Sequence, residues 1–296
     1  MIHWGIIGPG HIARVFCNGL RFTDKGEAIA VASRDPHKAR QFAADFSIAT
    51  VHDSYQDLLA DPSVDAVYIA TIHPAHLQWV ELAAAAGKHI LVEKPIGINA
   101  GEVAAMIKAA QSNDVFLMEA FMYRCHPQMQ QLAALIQQGA IGAVRLVRAS
   151  FGYHADFDPH IRAYNRDLAG GGALFHTTVH LLDAALWALG NPRPIRARAS
   201  SYQRLPHMPA PPATWQAPVA ACDIEDFNIG LVLFANGSTM TIESNWLMHP
   251  RPRQSGAEPR RGPTLRPGTP DLGGPAGRYP ALPWPCPPDV EARPLR

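Results

Sequence analysis

The sequence predicts an α/β protein, with a doubly wound parallel sheet in its N-terminal part and an α+β region after it. Three observations carry that expectation. Short apolar, β-branched runs alternate with helical patterns over the first 120 residues, as in parallel strands joined by crossover helices. A glycine-rich turn separates the first strand from the first helix. Further on, Asn236-Gly237 divides two more apolar runs, a hairpin signal.

The first strand is "IHWGIIG" (2–8), apolar and ending on glycine, and "IARVFCNGL" follows with helical periodicity. Between them stands Gly8-Pro9-Gly10-His11-Ile12-Ala13, a G-x-G-x-x-A turn in the strand–turn–helix setting of a dinucleotide site. Gly8 permits the tight turn, Gly10 lets backbone approach a pyrophosphate, and Ala13 allows close helix–strand packing. The free amides and positive dipole end of the helix, at His11 and Ile12, then face phosphate. The second strand, "EAIAVASRD" (27–35), ends in Ser33-Arg34 where an acidic residue would accept a bond from a ribose 2′-hydroxyl. A hydroxyl beside a guanidinium suits a 2′-phosphate better, so NADP is expected over NAD. An exposed loop arginine is the plain alternative.

Helix "ARQFAADF", strand "VDAVYIAT", helix "HPAHLQWVELAAAAGK" and strand "HILVEKP" continue the alternation. Ligands bind such sheets beyond the carboxyl ends of the strands, which marks Thr71, His73, Glu93 and Lys94. Pro95 biases Lys94 to an extended conformation and so gives its side chain a defined direction. His76 is read as serving helix contacts and not proton transfer.

After about residue 120, "AVRLVRASFGY", "IRARASSYQR", "DFNIGLVLFANG" and "STMTIESNWLM" read as strands around one helix, "ALFHTTVHLLDAALWALG". At 100° per residue His176, His180, Asp183 and Trp187 share a stripe, opposite Leu181, Leu182, Ala185, Leu186 and Leu189. The leucine side should bury against the sheet and leave the histidines facing a cleft. Such a pair suits acid–base chemistry, with an ordinary imidazole pKa near neutrality, but also two hydrogen-bonded residues at a domain contact. A metal shared with Asp183 is a third reading. No further ligand is evident, and no metal is expected. Glycines 170–172 let the helix start close to another segment.

The bulk properties are those of a globular protein: 296 residues, 47% hydrophobic, 17% charged, formal net charge +1. They point to neither a nucleic-acid nor a membrane partner. The opening "MIHWGIIG" carries no signal-peptide pattern, and Cys17, Cys125, Cys222 and Cys286 are too scattered for a disulfide framework, so a cytoplasmic location is expected. From Arg251 the composition changes: twelve of 27 prolines and eight arginines lie in residues 251–296, without periodic apolar pattern. That tail is expected to be irregular. Its sudden start also fits a shifted reading frame, and its arginines a nucleic-acid-binding tail.

"GIIGPGHIA", "HPAHLQWVELAAAAGKHILVEKPIG", "EAFMYRCHP" and "GGGALFHTTVHLLDAALWALG" together resemble the Gfo/Idh/MocA oxidoreductases, named for glucose–fructose oxidoreductase and inositol dehydrogenase. The resemblance covers most of residues 1–250. It implies a Rossmann domain (1–120), a substrate domain on an open, mainly antiparallel sheet (121–250, incomplete against relatives that continue with further strands), and the tail (251–296). It also implies hydride transfer between NAD(P) and a sugar, cyclitol or dihydrodiol hydroxyl carbon. Lys94 of the E-K-P motif would stabilise a developing alkoxide, and His180, matching the histidine of the family's D-x-x-x-H, would accept the hydroxyl proton. His176 replaces the usual aspartate. That departure leaves open a cofactor-retaining protein with impaired turnover, and the family also includes NAD-dependent glycosidases. Tyr123, Arg124, Tyr153 and Arg162 are the substrate-side candidates. The open sheet would serve a homo-oligomer, with an edge exposed beside "STMTIESNWLM" that invites strand pairing and poor solubility.

Overall fold

Six parallel strands order β3-β2-β1-β4-β5-β6 in the first sheet of the computed structural model, which describes residues 1–152, 165–207 and 222–247. The strands are β1 (Ile2–Ile7), β2 (Gly26–Ala32), β3 (Thr50–His52), β4 (Ala66–Ile69), β5 (His89–Val92) and β6 (Leu117–Glu119). Helices α1 (His11–Leu20), α2 (Pro36–Phe46), α3 (Tyr55–Ala60), α4 (His76–Ala85) and α5 (Ala100–Ser112) connect them. The order reverses between β1 and β4, and Gly8 sits at that switch point. Two cores flank the sheet. Ile7, Leu58, Val67, Val80, Ala83 and Met106 cluster on one face, and Ile6, Ala13, Val31, Phe42 and Tyr68 on the other. Successive residues of one strand, Ile6 and Ile7, thus enter opposite cores, which is why the strands read as continuous apolar runs.

The helix boundaries follow local chemistry. Asp35 caps α2 by accepting from His37 and Lys38 amides, with Pro36 at its first position. Ser54 and Asn99 cap α3 and α5 in the same way. By contrast, α1 starts at Gly10 with no side-chain cap.

The second sheet, β7-β10-β9-β8, is mixed: β10 pairs β7 in parallel and β9 antiparallel, and β8 pairs β9 antiparallel. Its strands are β7 (Leu146–Gly152), β8 (Pro194–Tyr202), β9 (Phe227–Phe234) and β10 (Thr239–Asn245). Asn236 builds the β9–β10 turn, its side-chain oxygen accepting from the Ser238 amide, with Gly237 at φ +82°. Helices α6 (Pro127–Gln137), α7 (Arg166–Ala169) and α8 (Val179–Ala188) complete the part. Leu181, Leu182, Ala185, Leu186 and Leu189 pack on Ala149, Phe234, Met240 and Ile242, as the leucine stripe requires. Both sheets belong to one compact unit, Met1–Pro250.

One expectation is corrected here. "STMTIESNWLM" is not an open edge: β10 is an inner strand, and among the described residues β7 and β8 are the edges. The parallel partner β7 arrives from about 90 positions earlier in the chain, a long-range pairing that no local pattern encodes. Among the described residues no helix is long and apolar enough to cross a membrane.

Candidate active site

Two groups of side chains lie beyond the carboxyl ends of the first sheet. The first lines a cavity of about 430 Å³ formed by Gly8, Pro9, Gly10, Ser33, Arg34, Thr71 and Ile72, with Asp35, Lys38, Tyr55, Ala70, Ala75, Gln78 and Trp79. The glycines are needed for shape. Gly8 has φ +89°, and a Cβ there would lie 2.8 Å from the Ala70 carbonyl oxygen. A Cβ on Gly10 would meet nothing within 4 Å, so that glycine faces open space at the start of α1. With no side-chain cap, the first amides of α1 remain available to an anion, and a pyrophosphate fits there. Arg34 and Lys38 supply positive charge at the β2 end of the cavity, and Tyr55 meets Trp79 edge-on at 4.7 Å on its wall.

Lys38, Tyr55 and Trp79 are cavity residues that the sequence reading did not single out. Lys38 carries a local signal, standing one helical turn after Arg34; the aromatic pair carries none, because Tyr55 and Trp79 come from different helices. His11 and Ile12 occupy the first turn of α1 but are exposed and do not line the cavity.

The second group surrounds Lys94. Its ammonium donates to the His176 carbonyl oxygen at 2.9 Å. Burial lowers the Lys94 pKa from its ordinary value, against the opposing pull of Glu93 and Glu119. Glu93 receives the Tyr68 hydroxyl and the Lys94 amide, and its burial raises its pKa. His76 is fully buried, with Nδ1 3.1 Å from the Pro95 and Ile96 carbonyls and Nε2 3.3 Å from that of Thr71. With its pKa held near 4 by burial it is neutral and has one N–H; Nδ1, which faces two carbonyls, carries it, so His76 donates to the β5 turn and its Nε2 only abuts the Thr71 carbonyl. His73 Nδ1 stands 2.7 Å from the Ala169 carbonyl; a carbonyl only accepts, so that nitrogen carries the proton and Nε2 is left with a lone pair.

The histidine helix departs from a plain α-helix. Leu174–Thr178 form a π-helical turn before α8, which widens the first turn and breaks the 100° stripe. His176 turns toward His73 and Trp246, each 6.1 Å away between ring centres, while His180 meets Tyr123 at 5.7 Å and Phe121 at 6.1 Å. Both lie in the field of the Lys94 charge, and burial first, then that charge, brings both pKa values to about 4. The Nδ1 atoms of both rings are buried without a hydrogen-bond partner.

Asp183 does not share the cleft. It is buried and held by Arg124 in a two-pronged pair, Nε to Oδ2 at 2.8 Å and Nη2 to Oδ1 at 2.5 Å. The Trp187 backbone carbonyl accepts from the Gln137 side chain of α6. The short helical turn Met122–Cys125, carrying Tyr123 and Arg124, and then α6 pack against α8, while His176 and His180 lie in the field of Lys94. Arg124 is thereby committed to Asp183, and Tyr123 packs beside His180. Tyr153 and Arg162 lie outside the described residues. Among the described residues no group of three His, Cys, Asp or Glu side chains is placed to hold a metal.

The segment Thr71–His76 links the two groups along the chain: Thr71, Ile72 and Ala75 line the cavity, and His73 lies in the field of Lys94. Residues 2–121 match the family model described as the oxidoreductase family with NAD-binding Rossmann fold, and residues 129–258 match the GFO/IDH/MocA C-terminal domain. The chain belongs to the Gfo/Idh/MocA family. Among curated family relatives, trans-1,2-dihydrobenzene-1,2-diol dehydrogenase of Mus musculus is 43% identical over 58% of this chain and 52% of its own. The chain thus spans about half the length of that relative. Among solved structures, aldose-aldose oxidoreductase from Caulobacter crescentus, complexed with glycerol, superposes with a TM-score of 0.73 at 26% identity, over 83% of this chain and 71% of the other. Levoglucosan dehydrogenase in complex with NADH and levoglucosan gives 0.72 at 26% identity, over 84% and 68%.

Proposed function

We propose that the chain is an NADP-preferring dehydrogenase that oxidises a hydroxyl carbon of a sugar, cyclitol or dihydrodiol. The observation that carries this reading is the gathering of Lys94, His176 and His180, with the Lys94 ammonium on the His176 carbonyl and both rings in its field. Gly8 and Gly10 would admit the pyrophosphate, and Ser33, Arg34 and Lys38 would hold a 2′-phosphate by charge-assisted bonds. The bound cofactor supplies the hydride acceptor or donor; the side chains supply orientation and charge.

Lys94 is the electropositive group of the site. Its ammonium, now bonded to the His176 carbonyl, would instead bond the substrate oxygen and stabilise negative charge developing there. Lowered from its ordinary pKa, it also gives up a proton more readily than a solvated lysine. His180 is the proposed acceptor of the hydroxyl proton, and His176 borders the same space. The relatives named as dihydrodiol dehydrogenases favour a vicinal diol, whose second hydroxyl would face the other histidine. The outward face of the second sheet, where Leu146, Ile229 and Leu231 are exposed, is the proposed surface for a homo-oligomer.

One observation favours a second reading, a dinucleotide-binding protein with impaired turnover. A working histidine base has its second nitrogen oriented by an acceptor, and the Nδ1 atoms of His176 and His180 have none. The test is a panel of sugars, inositols and trans-dihydrodiols followed at 340 nm with NADP and then NAD, with calorimetry of cofactor binding alongside. Reduction with NADP above NAD, lost in Lys94→Met, supports the dehydrogenase; tight binding without turnover supports the second reading.

A further inference from the structure

The turn that carries Lys94 is anchored by Glu119, named above only for its pull on the Lys94 charge. Pro95 has no N–H, so the first backbone donor after Lys94 is the Ile96 amide, and it donates to Glu119 Oε1 at 2.9 Å. Glu119 ends β6 and pairs in register with Val92 at the end of β5, which sets its carboxylate alongside the turn. His76 meets the Pro95 and Ile96 carbonyls from the other side. The donor side of the turn therefore rests on Glu119 and the acceptor side on His76.

We propose that Glu119 is a positioning residue for Lys94: its carboxylate anchors the backbone after Lys94 and supplies negative charge beside the Lys94 ammonium. A neutral acceptor would anchor the turn equally well, so the charge is the informative part. The groups facing Glu119 are Glu93 and Lys94 from the β5 turn, Arg124 from the turn after β6, and Asp183 from α8. Arg124 is already bonded through two nitrogens to Asp183, which leaves it little capacity to neutralise a second carboxylate. Burial outweighs the remaining attractions and pushes the Glu119 carboxyl up to about 7. Its charge therefore changes in the neutral range. Above that pH the carboxylate strengthens the Ile96 bond and favours the Lys94 ammonium; below it the carboxyl keeps an acceptor oxygen but loses the field.

The consequence for turnover rests on the dehydrogenase reading, whereas the anchor and the charge are measurable without it. The experiment follows Lys94 acetylation by trace acetic anhydride from pH 6 to 9, read by peptide mass spectrometry, and hydrogen exchange at the Ile96 amide. Both are run on the full chain, without substrate or cofactor, as wild type, Glu119→Gln and Glu119→Ala. Only the free amine reacts, so removing the carboxylate is expected to speed Lys94 labelling at pH 8 by up to about tenfold, the change for one pKa step. Glu119→Gln keeps the Ile96 protection and loses an inflection near pH 7; Glu119→Ala loses both. Labelling rates and pH profile in Glu119→Gln equal to wild type would overturn the proposal, and this variant alone decides it if Glu119→Ala does not fold. Should wild type oxidise none of the alcohol panel, the dehydrogenase reading fails while the labelling result still stands for or against Glu119.

Discussion

Gly172 is where a single methyl group should do most damage to the site without touching the cofactor cavity. A Cβ built there lies 1.8 Å from the backbone oxygen of Glu225. That obstacle is main chain and has no rotamer to yield, so the helix start must move by about 1 Å. The close approach exists because two bonds cross it: the Gly172 amide donates to the Glu225 carboxylate at 2.8 Å and the Ala173 amide to the Glu225 carbonyl at 2.9 Å. Losing one charge-assisted and one neutral bond puts the cost of Gly172→Ala at about 2–4 kcal/mol. For a unit of this size that is a fall of roughly 5–15 °C in Tm. Because the displaced segment carries His176, whose carbonyl holds Lys94, turnover should fall on the order of 100-fold. Cofactor affinity should change little. Gly19→Ala is the control: no atom lies within 4 Å of its Cβ, and alanine in that helix should stabilise by about 0.5–1 kcal/mol. Thermal unfolding, NADPH fluorescence titration and 340 nm rates measure the three quantities. A Gly172→Ala protein with wild-type Tm and turnover would refute the reasoning.

The remaining predictions concern charge and surface. His176→Asp puts a carboxylate beside Lys94 in place of a half-buried imidazole whose Nδ1 has no partner, and should raise turnover by about tenfold, or 1.4 kcal/mol in the barrier; steady-state rates showing no gain would contradict it. Acid should destabilise the fold through its buried histidines. As the pH falls from 6.5 toward 4, the unfolded chain protonates His76 while the folded chain keeps it neutral, so stability present above 6.5 is lost across that window. His76 alone accounts for up to about 3 kcal/mol, and His176 and His180 act in the same direction. Glu119, raised to about 7, opposes them, since its contribution is present below 4.5 and lost as the pH rises through 7. Urea unfolding at pH 7, 6 and 5 measures the net slope, which His76→Gln should flatten. Finally, Leu231→Glu on the outward face of β9 should turn an oligomer into monomer by light scattering with no change in Tm beyond about 2 °C, since that side chain is 42% exposed.

What the sequence determined by itself was whatever depends on neighbours in the chain. Gly8, Gly10 and Ala13 stand within one turn, the strand–helix alternation is local periodicity, and the leucine stripe of α8 is a property of that helix alone; all are found as expected. Tertiary structure decided the rest, because it depends on partners far apart in sequence. On a helical wheel Asp183 is available, but Arg124, 59 residues earlier, occupies it. The further strands that the resemblance implies, if absent, would leave an edge beside β10, but β7 pairs with that strand. The π-helical turn separates two histidines that ideal α-geometry would align. Glu119 opens the family-like stretch "EAFMYRCHP", but nothing local marks its partner: that comes from Ile96, 23 residues away, and from burial, which shifts a carboxylate's charge only once the fold has removed the water.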